Sequence, residues 1–163
     1  MLAQIDSRMR SRLMLLKRRE RVLGLKVIGL DGSILAQGLP FFFSTVGITI
    51  CNNNIETSFL RLFITAEKLF QISIHGCTLS LQDLKFLANS KNLCLLSLVN
   101  CKFVESNINE EFTAEVFSSF SSIGVLSVTS EQISRKCWEK TANVLRNRHC
   151  DLVLKVNSEI ITI

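Results

Sequence analysis

The sequence predicts an α/β fold of repeated units, a short irregular solenoid with parallel strands lining a concave face and helices a convex one. Three observations carry this. Leu69-Phe-Gln-Ile72-Ser-Ile74-His-Gly-Cys77-Thr-Leu79 and Leu93-Cys-Leu-Leu96-Ser-Leu98-Val-Asn-Cys101-Lys-Phe103 superpose residue for residue at a 24-residue offset. That period belongs to architectures that stack one supersecondary unit on the next. Apolar residues alternate within each short run, as they do on a half-buried strand, and stretches of helical periodicity separate the runs. Strands that alternate with helices of ten or more residues are expected to run parallel, because parallel neighbours need a crossover.

Stepping back 24 residues from Ile72 reaches Ile48, in Thr45-Val-Gly-Ile48-Thr-Ile50-Cys-Asn-Asn53-Asn-Ile55. Asn53 here stands where Cys77 and Cys101 stand, and its amide can bond exposed backbone groups in the turn. Cys51 is therefore not the equivalent of Cys77. One unit further back, Val22-Leu-Gly-Leu25-Lys-Val27 is degenerate. Downstream, Ile123-Gly-Val-Leu126-Ser-Val128 follows a 30-residue step and loses the Asn or Cys at Glu131. A last unit, Leu152-Val-Leu154-Lys-Val-Asn157, follows 26 residues later with Asn157 in the cysteine position. Atypical end units are expected of a stacked array.

Between the strands, Ser80-Leu-Gln-Asp83 has the spacing of an N-cap, with Leu81, Leu84 and Leu87 on one face of the helix behind it. Residues 55–66 place Ile55, Phe59, Leu62, Phe63 and Ala66 at helical spacing, and residues 109–120 do so with Phe112, Val116, Phe117 and Phe120. Residues 131–147 give the longest pattern, with Ile133, Cys137, Thr141, Val144 and Leu145 inward and Ser130 as cap. Trp138 on this helix is either packed between helices or an interaction anchor. Around Pro40 a turn is expected, then an apolar lead through Phe41, Phe42 and Phe43 into the strand at Val46. Residues 1–21 form a separate basic segment read as an amphipathic helix starting near Ile5, and residues 22–163 form a domain of about five to six units.

Composition narrows the function classes. Of 163 residues, 47% are hydrophobic and 20% charged, with one Pro and seven Gly, so a packed domain with little disorder is expected. No apolar stretch is long enough for a membrane helix, and Leu13 to Leu16 is too short for a secretory signal core. A cytoplasmic or nuclear location follows as the expectation. The net charge is +5, and residues 1–26 hold eight Lys or Arg against Asp6 and Glu20, leaving the body of the domain nearly neutral. The basic segment, with Arg8, Arg10, Arg12, Lys17, Arg18, Arg19 and Arg21, fits a helix capping the first unit. It also fits a nucleic-acid or membrane-surface binder, a targeting segment, or the end of another interaction module.

Chemistry has little to build on. The six cysteines form no C-x-x-C pair, so neither zinc nor another cofactor is expected. Cys77 and Cys101 suit a structural role under the strand-to-loop turn. Cys51 beside His75 is a conceivable thiol–imidazole pair, with no carboxylate expected in its row to orient the ring. His149 and Cys150 adjoin only along the chain, in a loop. No phosphate loop, H-E-x-x-H or G-x-S-x-G motif occurs, and no enzyme activity is expected.

The strand half L-x-x-L-x-L-x-x-C, with Ser80, Asp83, Leu84 and Leu87 after it, resembles the cysteine-containing leucine-rich repeat of F-box proteins. In this chain Leu79 falls one position before the family's usual aliphatic residue. The stretch Asp6-Ser-Arg8-Met-Arg10-Ser-Arg12-Leu-Met-Leu-Leu-Lys-Arg-Arg19 is similar to the basic second half of divergent F-box segments of the kind abundant in nematodes. The resemblance implies a substrate receptor of an F-box type ubiquitin ligase, or a truncated relative, with an F-box adaptor and cullin scaffold as partners. The repeat reading places a protein target on the concave strand face, on Thr49, Cys51, Ser73, His75, Ser97, Val99, Ser127 and Thr129. Neither a membrane nor a nucleic acid is the partner expected on that face. The competing reading is a nucleic-acid or membrane-surface binder that uses the basic N-terminal helix.

Overall fold

The computed structural model describes residues 2–6, 24–28, 46–51, 54–55, 60–61, 63, 67–120, 122–147, 153–157 and 159–162. These residues form a mixed α/β structure with two sheets, three helices and no closed barrel. The main sheet has eight strands in the order β1 (Leu2–Asp6), β2 (Gly24–Ile28), β3 (Gly47–Cys51), β5 (Gln71–His75), β7 (Leu95–Val99), β9 (Val125–Thr129), β10 (Val153–Val156) and β11 (Glu159–Thr162). Every neighbouring pair is parallel except β10 with β11. A second parallel sheet joins two-residue strands β4 (Asn54–Ile55), β6 (Thr78–Leu79) and β8 (Lys102–Phe103).

Register follows the repeat. Leu25, Ile48, Ile72, Leu96, Leu126 and Leu154 lie side by side across six strands, and Val27, Ile50, Ile74, Leu98, Val128 and Val156 form the parallel row two residues on. Branched and leucine side chains suit these positions because they pack on a pleated surface. In the four central strands both rows are buried, and they share one core with Leu84 and Leu87 of the 3-10 helix Gln82–Asn89, with Val116 and Phe117 of α1 (Glu110–Ser118), and with Cys137 and Leu145 of α2 (Arg135–Arg146). Helices thus cover one face of the sheet. Trp138 is 1% exposed, its ring 5.2 Å from that of Phe117, which settles it as a packing residue between α1 and α2. Among the described residues no helix is long and apolar enough to cross a membrane.

The turns repeat as well. The Cys77 thiol lies 3.3 Å from the His75 carbonyl and 3.7 Å from that of Ile50, and the Cys101 thiol lies 3.7 Å from the Val99 carbonyl and 3.3 Å from that of Ile74. Each thiol so ties its turn to the preceding strand. Just before them, Gly76 and Asn100 adopt left-handed φ values of 59° and 52°, and their N–H groups donate to Val99 and Thr129 of the next strand. Glycine and asparagine are the residues that tolerate this geometry.

Several expectations need correction. Ile5 and Asp6 belong to strand β1, paired with β2, so the N-terminal helix does not start there. Residues 7–23, Asn53, the Pro40 turn, and His149 with Cys150 lie outside the described residues. The segment behind Ser80 is a 3-10 helix, for which leucines at every third position are the natural stripe. Ser80 still accepts from the Asp83 N–H at 3.2 Å, and Glu105 takes the Leu81 and Gln82 N–H groups at 3.0 and 3.1 Å. Helix α2 is capped by Ser134, whose side chain accepts from the Cys137 N–H, rather than by Ser130. Ser130 is buried and donates to the Cys101 carbonyl. Finally, Leu154 pairs with Leu126, so the last step is 28 residues, and Asn157 falls beside Thr129 instead of in the cysteine position.

Candidate functional site

The sheet face opposite the helices is built from the residues that alternate with the buried rows. Its middle row runs Lys26, Thr49, Ser73, Ser97, Ser127, Lys155, and its upper row Ile28, Cys51, His75, Val99, Thr129. All eight residues singled out in the sequence therefore share one face in two registered rows. With strands about 4.8 Å apart, Thr49 to Ser127 spans about 14 Å. Thr49, Cys51, His75, Ser97, Val99, Ser127 and Thr129 are half-buried.

Ser73 differs. It is only 7% exposed, because Gln71, two residues earlier on the same face, donates its side-chain N–H to the Ser73 hydroxyl at 3.3 Å. Ser73 belongs to the floor of this face, and Gln71, which is exposed, takes its place at the surface. Gln71 lies in a third row, Gly47, Gln71, Leu95, Val125, that completes the face. The period-two alternation that yields the other two rows also yields this one. Beside it, at the entry to the strands, Phe70 is 49% exposed, next to exposed Val46. The Phe70 N–H donates to the Val46 carbonyl at 2.8 Å, which sets the two residues side by side.

Charge on this face is sparse. The four central strands present no carboxylate or lysine, and the middle row continues to Lys26 on β2. Cys51 and His75 are direct neighbours across β3 and β5. In backbone register the acidic position in line with this pair is Asp6, which pairs with Ile28 as Ile28 does with Cys51. It stands three strands from His75, about 14 Å away at ordinary strand spacing.

The buried thiols are parts of the scaffold. Burial pushes the Cys101 thiol from 9.0 up to about 11, against the lowering effect of nearby backbone hydrogen bonds, so it stays protonated and donates. Among the described residues no group of three or more His, Cys, Asp or Glu is placed to hold a metal ion. Glu105 shows the opposite balance: burial raises its carboxyl, but hydrogen bonds from the Ser80 hydroxyl and the Leu81 and Gln82 N–H groups outweigh it and hold it below the usual carboxylate range. It links two successive units through the start of the 3-10 helix.

A cleft of about 670 Å³ opens at the C-terminal ends of β7, β9 and β10, with Thr129 of the upper row at its margin. Buried Cys101 and Ser130 form its floor, and exposed Asn100, Lys102, Glu131, Gln132 and Asn157 complete its rim. Sequence spacing gave no sign of it. Comparison with known protein families and with curated proteins finds no match.

Proposed function

We propose that the chain is a short, irregular leucine-rich-repeat solenoid whose concave strand face binds a protein target and carries no catalytic centre. The observation that supports this most is the register: three rows of nearly uncharged side chains, most of them half-buried, cross the central strands over two fully buried aliphatic rows. Such a face presents hydroxyls, a carboxamide and apolar groups on rigid strands, a mixture that suits a folded protein surface better than a polyanion. Exposed Phe70 and half-buried Leu95 and Val125 supply the apolar part, Thr49, Ser97 and Ser127 the polar part.

Within this reading the chain is a substrate receptor of an F-box type ubiquitin ligase, and the basic residues between 7 and 21 belong to the attachment segment. Two variants test the face: Ser97→Trp and Ser127→Trp, compared with Asn143→Trp on the exposed side of α2, in pulldowns from native extract. Bulk at the centre of an interface should weaken capture by at least about tenfold. Unchanged capture by both face variants would count against the proposal. Scoring the captured material for F-box adaptor and cullin tests the attachment, and their absence from a pulldown that retains the target removes that part alone.

A further inference from the structure

The cleft at the C-terminal strand ends is a product of the break in the repeat. The units of β3, β5 and β7 each add a two-residue strand to the second sheet, and β4, β6 and β8 stack in this way. After the 30-residue step, the chain beyond Thr129 supplies Ser130, Glu131 and Gln132 without a strand, and the second sheet ends at β8. The Gln132 carboxamide closes the sheet edge: its oxygen accepts from the Phe103 N–H at 2.6 Å and its nitrogen donates to the Phe103 carbonyl at 3.0 Å. With no further strand to fill it, the space beside this edge is the cleft.

Its floor and its rim differ in one respect. On the floor, Ser130 donates to the Cys101 carbonyl and the Cys101 thiol is held by strand carbonyls, and at the sheet edge Gln132 is bound to Phe103. On the rim, the side chains of Asn100, Lys102, Thr129 and Glu131 make no hydrogen bond or ion pair with the described residues. Lys102 and Glu131 share the cleft without pairing with each other. Asn157 accepts from the Ser130 N–H through its side-chain oxygen at 3.3 Å, which leaves both of its amide hydrogens as donors.

We propose that this cleft binds a short peptide segment bearing one acidic and one basic side chain. Lys102 receives the acidic group, Glu131 the basic one, and Asn100, Thr129 and Asn157 bond the peptide backbone. The volume of about 670 Å³ is too large for a single ion, and it falls within the roughly 300–1,000 Å³ of small-ligand sites. One lysine against one glutamate makes the lining neutral, so a polyanion gains nothing there. The site shares only Thr129 with the strand face and stands without the protein-binding reading.

The test is a titration of the full, isotope-labelled chain with a blocked hexapeptide of glycine and serine that carries one Glu and one Lys, followed by amide chemical shifts. A second peptide has Gln at both positions. The first should give saturable shifts centred on Asn100, Thr129, Glu131 and Asn157, with affinity about two- to thirtyfold above that for the second, as two exposed ion pairs supply. Lys102→Glu and Glu131→Lys should each lose that advantage. Both side chains are exposed, and an unchanged thermal midpoint shows that the fold is retained. Ser97→Trp should leave this binding untouched, which separates its failure from that of the strand-face reading. Equal binding of the two peptides, no saturable binding of the first, or indifference to both charge reversals would overturn the proposal.

Discussion

Gln132 offers a measurable account of how the second sheet ends. Its carboxamide makes both hydrogen bonds that a further strand would have made to Phe103, itself 4% exposed. Truncation by Gln132→Ala leaves one N–H and one carbonyl of a buried backbone without partners. Each such group costs about 1–3 kcal/mol when water cannot reach it. Gln132 itself is exposed, so water recovers part of this, and a loss of about 2 kcal/mol is expected. Gln132→Glu keeps the acceptor for the Phe103 N–H but sets a second oxygen against the Phe103 carbonyl, so it should cost at least about 1 kcal/mol at neutral pH. Urea denaturation of wild type and both variants, with a common m-value, reads these differences directly. A loss below about 0.5 kcal/mol for both would refute the idea that this side chain stands in for a strand.

Three further outcomes follow from the packing and the titrating groups. Trp138→Ala removes the largest fully buried side chain and its contact with Phe117, and should lower stability by about 3–5 kcal/mol in thermal or chemical denaturation. The Cys101 thiol titrates near 11 in the folded chain against 9.0 without burial, so its contribution is complete below about pH 9 and lost as pH rises through about 11. That loss should amount to no more than about 2 to 3 kcal/mol, and Cys101→Ala should remove this part of the alkaline slope in urea midpoints. Glu105 has the opposite sign: its carboxyl lies below the usual range, so its contribution holds above that range and falls away as acid protonates it, and Glu105→Gln should flatten the acid limb of the stability curve.

The parts of the fold visible in sequence were those written in the spacing itself. Leu25, Ile48, Ile72, Leu96 and Leu126 fall side by side because each heads the same alternating pattern, and a one-residue slip would turn every buried side chain outward. A two-residue slip carries no such penalty. Leu152, Leu154 and Val156 all fit the pattern, which is why the spacing alone puts Asn157 in the cysteine position, two residues out of register. Strand β1 owes its state to pairing with β2, a tertiary effect that the basic residues following it obscure. The burial of Ser73 depends on where Gln71 reaches, and no periodicity encodes that. The cleft lies where the repeat fails, so a reading built on the repeat passes over it.

The central claim, that the registered strand face is the protein-binding surface, is tested most directly by site-specific photo-crosslinking in native extract. A photoreactive side chain placed at Ser97 or Ser127 should join the chain to one discrete protein, and the same group at Glu139 or Asn143 on α2 should not. Crosslinks of equal yield from both faces, or from α2 alone, would contradict the account.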